Sequence, residues 1–349
     1  MWTLKRREAA GNGGGPATAD LSSEFSGSDE QLAAEIKRLS ELNRRRSSHD
    51  RERMLLHLRN LAGIRLVAAP SERPAHPQPD FTALPEAGQL PEVTPAQLTP
   101  QLLRAGILRH GCVLVRGLVP RAAASRFAKQ IERSFDQRER HDSGQRFNDG
   151  YYSGFTPDPR CGEEVSPNWI KSGGGLLAVD SPVLSFELLE LFADAGISSL
   201  AHAYLGEPLL IAATKTTLRK ADPSVAGAWH QDGAFMGQVN ALNVWLSLSR
   251  CGDEAPGLDI VPRRLDHHVT TQTDEAWLDH MVSQRMAEQA AGEIPILRPI
   301  FEPGDALLFD ELFLHKTASE AEMPKPRFAI ENWFFGPSAF PATYAPLAV

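Results

Sequence analysis

Apolar positions along the chain change period twice, and each change marks a region. Through about Gly27 the sequence is rich in Gly, Ser and Ala with few large apolar side chains. Such a stretch cannot bury enough surface to order itself, so a disordered tail is expected over residues 1–27. From Ser28 the apolar residues recur with a helical period. Ser28 and Gln31 form a capping-box pattern, and Leu32, Ile36, Leu39 and Leu42 share one helical face. After Arg44-Arg45-Arg46 and the Ser47-Ser48 break, Met54, Leu55, Leu58 and Leu61 form a second stripe that Gly63 is placed to cap. The pattern predicts a helical hairpin arm over residues 28–66. Pro70, Pro74, Pro77, Pro79, Pro85, Pro91 and Pro95 then predict a semi-rigid linker over residues 67–97. Thr99 and Pro100 read as N-cap and first residue of the helix that opens the last region, residues 98–349.

In that region the period shortens toward two. Leu209 to Arg219 reads as a strand with an apolar start and a Thr-rich continuation, and Gly227 loosens the chain just before His230. Glu302-Pro303-Gly304-Asp305 is a turn signal feeding the apolar run Ala306 to Phe309. In Arg327 to Phe335, Phe328, Ile330, Asn332 and Phe334 face one way while Arg327, Ala329, Glu331 and Trp333 face the other. Val119 to Arg138 reads as a helix. Arg140 to Asp180 resists assignment, its Tyr151, Tyr152, Phe155 and Trp169 lying among glycines and prolines. A long loop of this kind suits a lid or substrate wall, or an ordinary surface excursion with tucked aromatics.

The chemistry-bearing set is His230-Gln231-Asp232, then His315, then Arg327. Two imidazoles and one carboxylate on one face of a metal leave the opposite face open, which suits a non-haem Fe(II) centre that binds an acid and O2 together. A His-x-Asp triplet is common by chance, so its context decides: His230 stands at a strand edge, and His315 follows a second apolar run. Other histidines read differently. His267 and His268 are adjacent and point to opposite faces, as loop residues would, and His141-Asp142 sits in a charged stretch that reads as a solvated turn. Gly173-Gly174-Gly175 lacks the pattern of a phosphate loop and reads as a hinge. Lys325 competes with Arg327 as an anion anchor, but it lies between Pro324 and Pro326, which places it before the strand.

These residues, with the strand Gly111 to Gly117, the helix after Pro120 and the strand around Trp245, resemble the phytanoyl-CoA dioxygenase family of Fe(II)- and 2-oxoglutarate-dependent oxygenases over roughly Leu98 to Pro337. The resemblance implies a double-stranded β-helix, the jelly-roll or cupin-like fold, mainly β with flanking helices and here an N-terminal helical extension. It implies that His230, Asp232 and His315 ligate iron. It implies that Arg327 grips the distal carboxylate of 2-oxoglutarate through a fork that Lys cannot imitate, with Thr317 and Trp245 assisting in the cosubstrate pocket. The activity implied is hydroxylation of an unactivated C–H bond of a small molecule, with O2 consumed and succinate and CO2 released. Asp232 fills the position that a small residue leaves to halide in halogenating relatives. One departure is Arg263-Arg264, where relatives carry small residues in a turn.

Length and charge limit the alternatives. A chain of 349 residues accommodates one barrel domain of roughly 200 to 250 residues plus an extension. A net charge of −8 argues against a surface built to coat nucleic acid. Eight basic and three acidic residues lie between Lys37 and Arg59, but no Phe, Tyr or Trp lies between Phe25 and Phe81 to stack on bases. No run of about 18 apolar residues is present to cross a bilayer. Cys112, Cys161 and Cys251 share no Cys-x-x-Cys spacing, and no apolar segment of the secretory kind follows Met1 to Arg7, so a cytoplasmic protein is expected. The N-terminal helices could serve oligomerisation. Two other classes remain open: a cupin-like metal oxygenase that uses no oxo-acid, and a non-catalytic jelly-roll binding module.

Overall fold

A computed structural model describes residues 25–69, 72–145, 149–161, 168–224, 227–273, 276 and 279–349. Most of the tail expected over residues 1–27, up to residue 24, therefore lies outside the described residues. The chain begins with helices α1 (Asp29–Arg45) and α2 (His49–Ala68), followed by β1 (Glu92–Val93), α3 (Pro100–His110), β2 (Cys112–Val115) and α4 (Arg121–Asp142). Next come α5 (Asn168–Ser172), β3 (Gly175–Leu177), α6 (Pro182–Asp194), α7 (Ile197–Leu205) and the long β4 (Leu210–Ala221). The last part holds α8 (Gly233–Met236), β5 (Ala241–Ser247), β6 (Gly257–Ile260), α9 (Gln284–Ala291), β7 (Ala306–Phe309), β8 (His315–Ala318), β9 (Arg327–Phe335) and β10 (Pro346–Ala348).

The large sheet runs β1-β2-β7-β5-β9-β4-β10, with β3 also paired to β4, and every pairing is antiparallel except β1 with β2. The small sheet pairs β6 with β8 and is extended on both sides by single bridges, His230 to His315 and Ile260 to Leu297. From β4 onward the chain passes between the two sheets: β4, the short extended segment at Trp229–His230, β5, β6, the segment at Leu297, β7, β8, β9. The chain changes sheet at every step except between β6 and the segment at Leu297, which are neighbours in the small sheet, and two facing sheets wound in this way are a double-stranded β-helix.

Strand parity sorts the core into two layers. Val244, Leu246, Leu308, Ile330 and Phe334 leave the large sheet on its outer face and pack beneath helices α3, α4, α6 and α7. Trp245, Leu307, Phe309, Ala329, Trp333 and Phe335 point between the sheets and meet Leu258 and Ile260 of β6. The alternation expected in Arg327 to Phe335 is present throughout β9.

The N-terminal hairpin is laid against this barrel. Its first helix carries the expected capping box, with Gln31 N donating to Ser28 Oγ and Ser28 N donating to Gln31 Oε1. The second helix does not stop at Gly63. It continues to Ala68, because a Cβ at Gly63 would come within 2.7 Å of the Pro346 carbonyl oxygen, and glycine lets α2 lie directly on β10. Arg59 Nη1 and Asn60 Nδ2 donate to the carbonyls of Ala348 and Pro346, each at 2.8 Å, and Leu56 enters the outer core. The proline-rich stretch also lies on the barrel, with Glu92 and Val93 paired to β2 and the His76 ring 5.1 Å from that of Tyr204. No helix among the described residues is long and apolar enough to cross a membrane.

Candidate active site

His230 and His315 face each other across the small sheet because their backbones are bridged, His230 N donating to His315 O at 3.0 Å and His315 N to His230 O at 3.2 Å. Close approach of the incoming chain is possible because residue 227 is glycine, where a Cβ would lie 2.2 Å from Thr317 O. The glycine expected to loosen the chain thus serves to let it dock on β8. Each imidazole is oriented by a local carbonyl: His230 Nδ1 donates to Ala228 O at 2.8 Å and His315 Nδ1 to Phe313 O at 3.1 Å. A carbonyl can only accept, so both rings present an unprotonated Nε2 to the interior. Phe313 stacks on the His315 ring at 5.8 Å and Phe309 tilts against it at 4.9 Å, fixing its plane.

Asp232 begins α8 and brings Oδ2 to 3.9 Å from His315 Nε2. One ligand atom from each of His230, Asp232 and His315 lies within 4.8 Å of the others, a donor set that could hold one divalent ion. The intervening Gln231 points away and ties down the surrounding loops. Its Nε2 donates to Leu312 O and His267 O, and its Oε1 accepts from Val269 N. Burial, and next the adjacent His315, hold the His230 imidazole below its ordinary value, which favours the neutral form a metal needs.

The three residues head a chamber of about 180 Å³ between the sheets. Thr317 and Trp245 line it, as do Thr214, Lys215, Thr217, Arg219, Phe235, Asn243, His280, Glu331 and Trp333. Lys215 and its neighbour Thr214 both reach it because the β4–β9 register shifts between Ile211 and Thr216, which breaks strict alternation. Three buried polar atoms on its walls, Thr214 Oγ1, Asn243 Oδ1 and Trp245 Nε1, have no hydrogen-bond partner within the chain. Buried polar groups are nearly always satisfied. A cluster of orphans around one cavity is what a chamber built for a polar ligand leaves open.

Arg327 does not border this chamber. It lies fully buried beneath it, its guanidinium 5.3 Å from the Trp245 ring, with Nη1 donating to Gly257 O at 3.0 Å. Its Nε has no partner, no carboxylate hydrogen-bonds to it, and burial lowers its pKa. Arg219 is engaged differently. Its Nε and Nη2 meet Glu331 Oε2 at 3.0 and 2.9 Å, and Thr217 Oγ1 donates to the same oxygen. Burial alone would raise the Glu331 carboxyl, but Arg219 and then Arg327 outweigh it and hold it down to about 2. Lys325 stays outside on Glu254, at 63% exposure. Arg263 and Arg264 are occupied structurally, the first on the carbonyls of Ala290 and Ala291, the second on Asp310 and Asp266. His141 lies beside Asp142, and His267 offers its backbone carbonyl to Gln231.

Lys215, Arg219, Asn243, Phe235 and His280 were not singled out by the sequence pattern. The first two had a usable signal: Lys215, Thr217 and Arg219 alternate within a strand that starts apolar, and charges at alternate positions of a central strand must face something polar.

No family model matches the sequence. An L-proline trans-4-hydroxylase of Streptomyces griseoviridis is 26% identical over 145 residues, covering 34% of this chain and 52% of that one. The chain thus spans about half the length of the curated relative it matches. Among solved structures, EctD from S. alaskensis in its apoform gives a TM-score of 0.47 at 16% identity, covering 80% of this chain and 97% of that one. The non-heme alpha ketoglutarate dependent carbocyclase SnoK from nogalamycin biosynthesis gives 0.45 at 15% identity, covering 70% and 86%.

Proposed function

We propose that this chain is an Fe(II)- and 2-oxoglutarate-dependent dioxygenase of the phytanoyl-CoA dioxygenase type, which hydroxylates an unactivated C–H bond of a small molecule. The observation that carries the reading is the pairing of two features at opposite ends of one interior. Two imidazoles and a carboxylate converge at the head, and a buried guanidinium to which no carboxylate hydrogen-bonds lies beneath the floor. A buried cation of that kind is costly unless an anion reaches it. The distal carboxylate of 2-oxoglutarate is an anion of the right chemistry, and an oxygenase without an oxo-acid has no use for Arg327. The hydroxylase relative supports the same reaction class.

In this reading His230 Nε2, His315 Nε2 and an Asp232 carboxylate oxygen hold the iron, and Arg327 anchors the cosubstrate. Trp245 Nε1, Asn243 Oδ1 and Thr317 line the space between. When bound, the iron and oxo-acid would together activate O2, the oxidant, and the chain's task is to orient both and exclude water. Ala228 O and Phe313 O hold the imidazole tautomers, while Arg219 and Thr217 hold Glu331 ionised beside the anchor. Asp232 occupies a metal position that halide would need, which favours hydroxylation over halogenation. Three cysteines without disulfide partners fit a reducing cytoplasm.

Anaerobic titration of the Fe(II)-loaded protein with 2-oxoglutarate, followed by the metal-to-ligand absorption band, tests the reading. The wild type should develop the band with one iron per chain, and His230→Ala and His315→Ala should each lose the iron while keeping the wild-type circular dichroism. Unchanged iron stoichiometry in both variants would remove the assignment.

A further inference from the structure

Arg264, which stands where the chain departs from the family it resembles, and Gln231, the spacer of the His-x-Asp triplet, both lead to one short stretch of backbone, residues 310–313. That stretch connects the end of β7 to the distal ligand, His315. Asp310 folds it into a turn: its carbonyl accepts from Phe313 N at 3.2 Å, and its Oδ1 accepts from Leu312 N at 3.2 Å. Its other carboxylate oxygen, Oδ2, accepts from Arg264 Nη1. Only 18% of the Arg264 side chain and 8% of the Asp310 side chain are exposed, so the ion pair is little screened and its geometry is held.

The turn presents its carbonyls to the triad. Glu311 O accepts from Gly233 N at 2.9 Å, Leu312 O from Gln231 Nε2 at 2.6 Å and Phe313 O from His315 Nδ1 at 3.1 Å. Residues 231 and 233 are the two neighbours of Asp232. Glycine at 233 permits the approach, since a Cβ there would lie 3.1 Å from Glu311 O. Gln231 also donates to His267 O and accepts from Val269 N, so it meets the loop that carries Arg264 as well as the turn that Arg264 holds. Arg263 goes elsewhere, to the carbonyls of Ala290 and Ala291. The triplet and His315 lie far apart in sequence, and these carbonyls fix one segment against the other beside the His230 to His315 bridge.

We propose that Arg264 is a positioning residue of the metal centre: by holding Asp310 it sets the 310–313 turn, whose carbonyls aim the His315 imidazole and pin Asp232 from both sides through Gln231 and Gly233. The inference rests on the reading of the triad as a metal site. Its energetic content is preorganisation. A ligand already held in its binding tautomer and place does not have to be ordered by the ion, and partners of this kind are typically worth about 10- to 100-fold in metal affinity.

The test uses the full chain and two readouts that need no turnover. In the metal-free protein, side-chain nitrogen NMR of the histidines, recorded above their titration range, should show His315 with its proton on Nδ1. Arg264→Met should mix the two tautomers at His315 and leave His230 unchanged, because the partner of His230, Ala228 O, lies outside the turn. Anaerobic titration with Co(II), whose visible absorption reports ligand number and geometry, should give Arg264→Met a Kd raised about tenfold or more, with Arg264→Lys between it and the wild type. Gln231→Met keeps the side-chain length and removes the bonds to Leu312, His267 and Val269. It should raise the Kd by a similar factor, and it carries the test if Arg264→Met does not fold. Phe334→Leu, a change in the outer core, should lower the Tm while moving the Kd by less than about twofold. The proposal is overturned if the arginine and glutamine variants bind Co(II) within about twofold of the wild type, if His315 keeps its tautomer in Arg264→Met, or if Phe334→Leu raises the Kd as much as they do. The last result would mark a general loosening of the fold. A wild type that binds no Co(II) removes the metal reading together with this one, whereas a wild type and variants that bind it equally well remove this one alone.

Discussion

The two faces of β9 are built from alternate residues of one strand, yet they follow opposite rules. Outward, Ile330 and Phe334 are fully buried under the helices, Phe334 meeting Phe192 at 5.5 Å, and Thr216 donates to Asn332 there at 2.9 Å. Inward, Glu331 and Trp333 line a space where several polar atoms have no partner inside the chain, and Arg327 is buried beneath it. The outer face gains stability from close packing. The inner face gives some up, leaving the Arg327 Nε and the Trp245 indole N–H without a partner inside the chain.

The sharpest way to break this contrast is at Phe334. Replacing it with Ala should cost about 3–5 kcal/mol of unfolding free energy, since a fully buried ring leaves a cavity that helices and sheet cannot close. Urea denaturation would check it, and a loss under about 1 kcal/mol would mean the outer face is not the stabilising one.

Glu331 offers the next largest effect, through pH. Its folded-state value lies below the unfolded one, at about 2, so its contribution is fully present above the unfolded value near 4.5 and is lost as pH falls through that window toward 2. The wild type should therefore lose on the order of a few kcal/mol on acidification, and Glu331→Gln should be less stable at neutral pH with a flatter acid limb. Parallel acid limbs for the two proteins, measured by urea midpoints, would dissociate Glu331 from the pH response.

Arg327→Met should behave opposite to a core truncation. The ligand-free protein should keep its stability within about 1 kcal/mol or gain, because a buried charge with no carboxylate hydrogen bond has been removed and Arg219 still contacts Glu331. Yet 2-oxoglutarate, which should raise the wild-type Tm by mass action, should leave the variant unmoved, with binding weakened about tenfold or more. Lys325→Ala marks the lower end: its partner Glu254 is exposed, and the change should stay under about 0.5 kcal/mol with no effect on 2-oxoglutarate affinity. A silent Arg327 variant beside a crippled Lys325 variant, in the same titration, would move the anchor by two residues.

Much of the site was legible along the chain because its members stand at strand positions whose direction is a local property. The parity of Arg327, Glu331 and Trp333 follows from backbone alternation, and His230 and His315 are set apart by apolar runs that end beside them. Gly63 and Gly227 were legible only as glycines. Their reasons, the Pro346 carbonyl under α2 and the Thr317 backbone on β8, belong to segments far away in sequence. Gln231, a spacer in the triplet, turned out to fasten two distant loop segments, one at His267 to Val269 and one at Leu312. Thr214 shares the chamber with Lys215 through a register shift in β4, which no alternation rule anticipates.

By itself, then, the sequence singled out the His230, Asp232 and His315 donor set that the fold brings together, the inward face of β9 and the helical start of the chain. Periodicity and side-chain chemistry are read within a few residues and need no knowledge of what lies opposite. Only the tertiary structure decided that Arg219 contacts Glu331 directly while Arg327 is hydrogen-bonded to carbonyls alone, and that the N-terminal hairpin rests on β10 instead of standing clear. Pairing across a sheet depends on register and on the twist that brings distant strands together, and neither is encoded in any single segment.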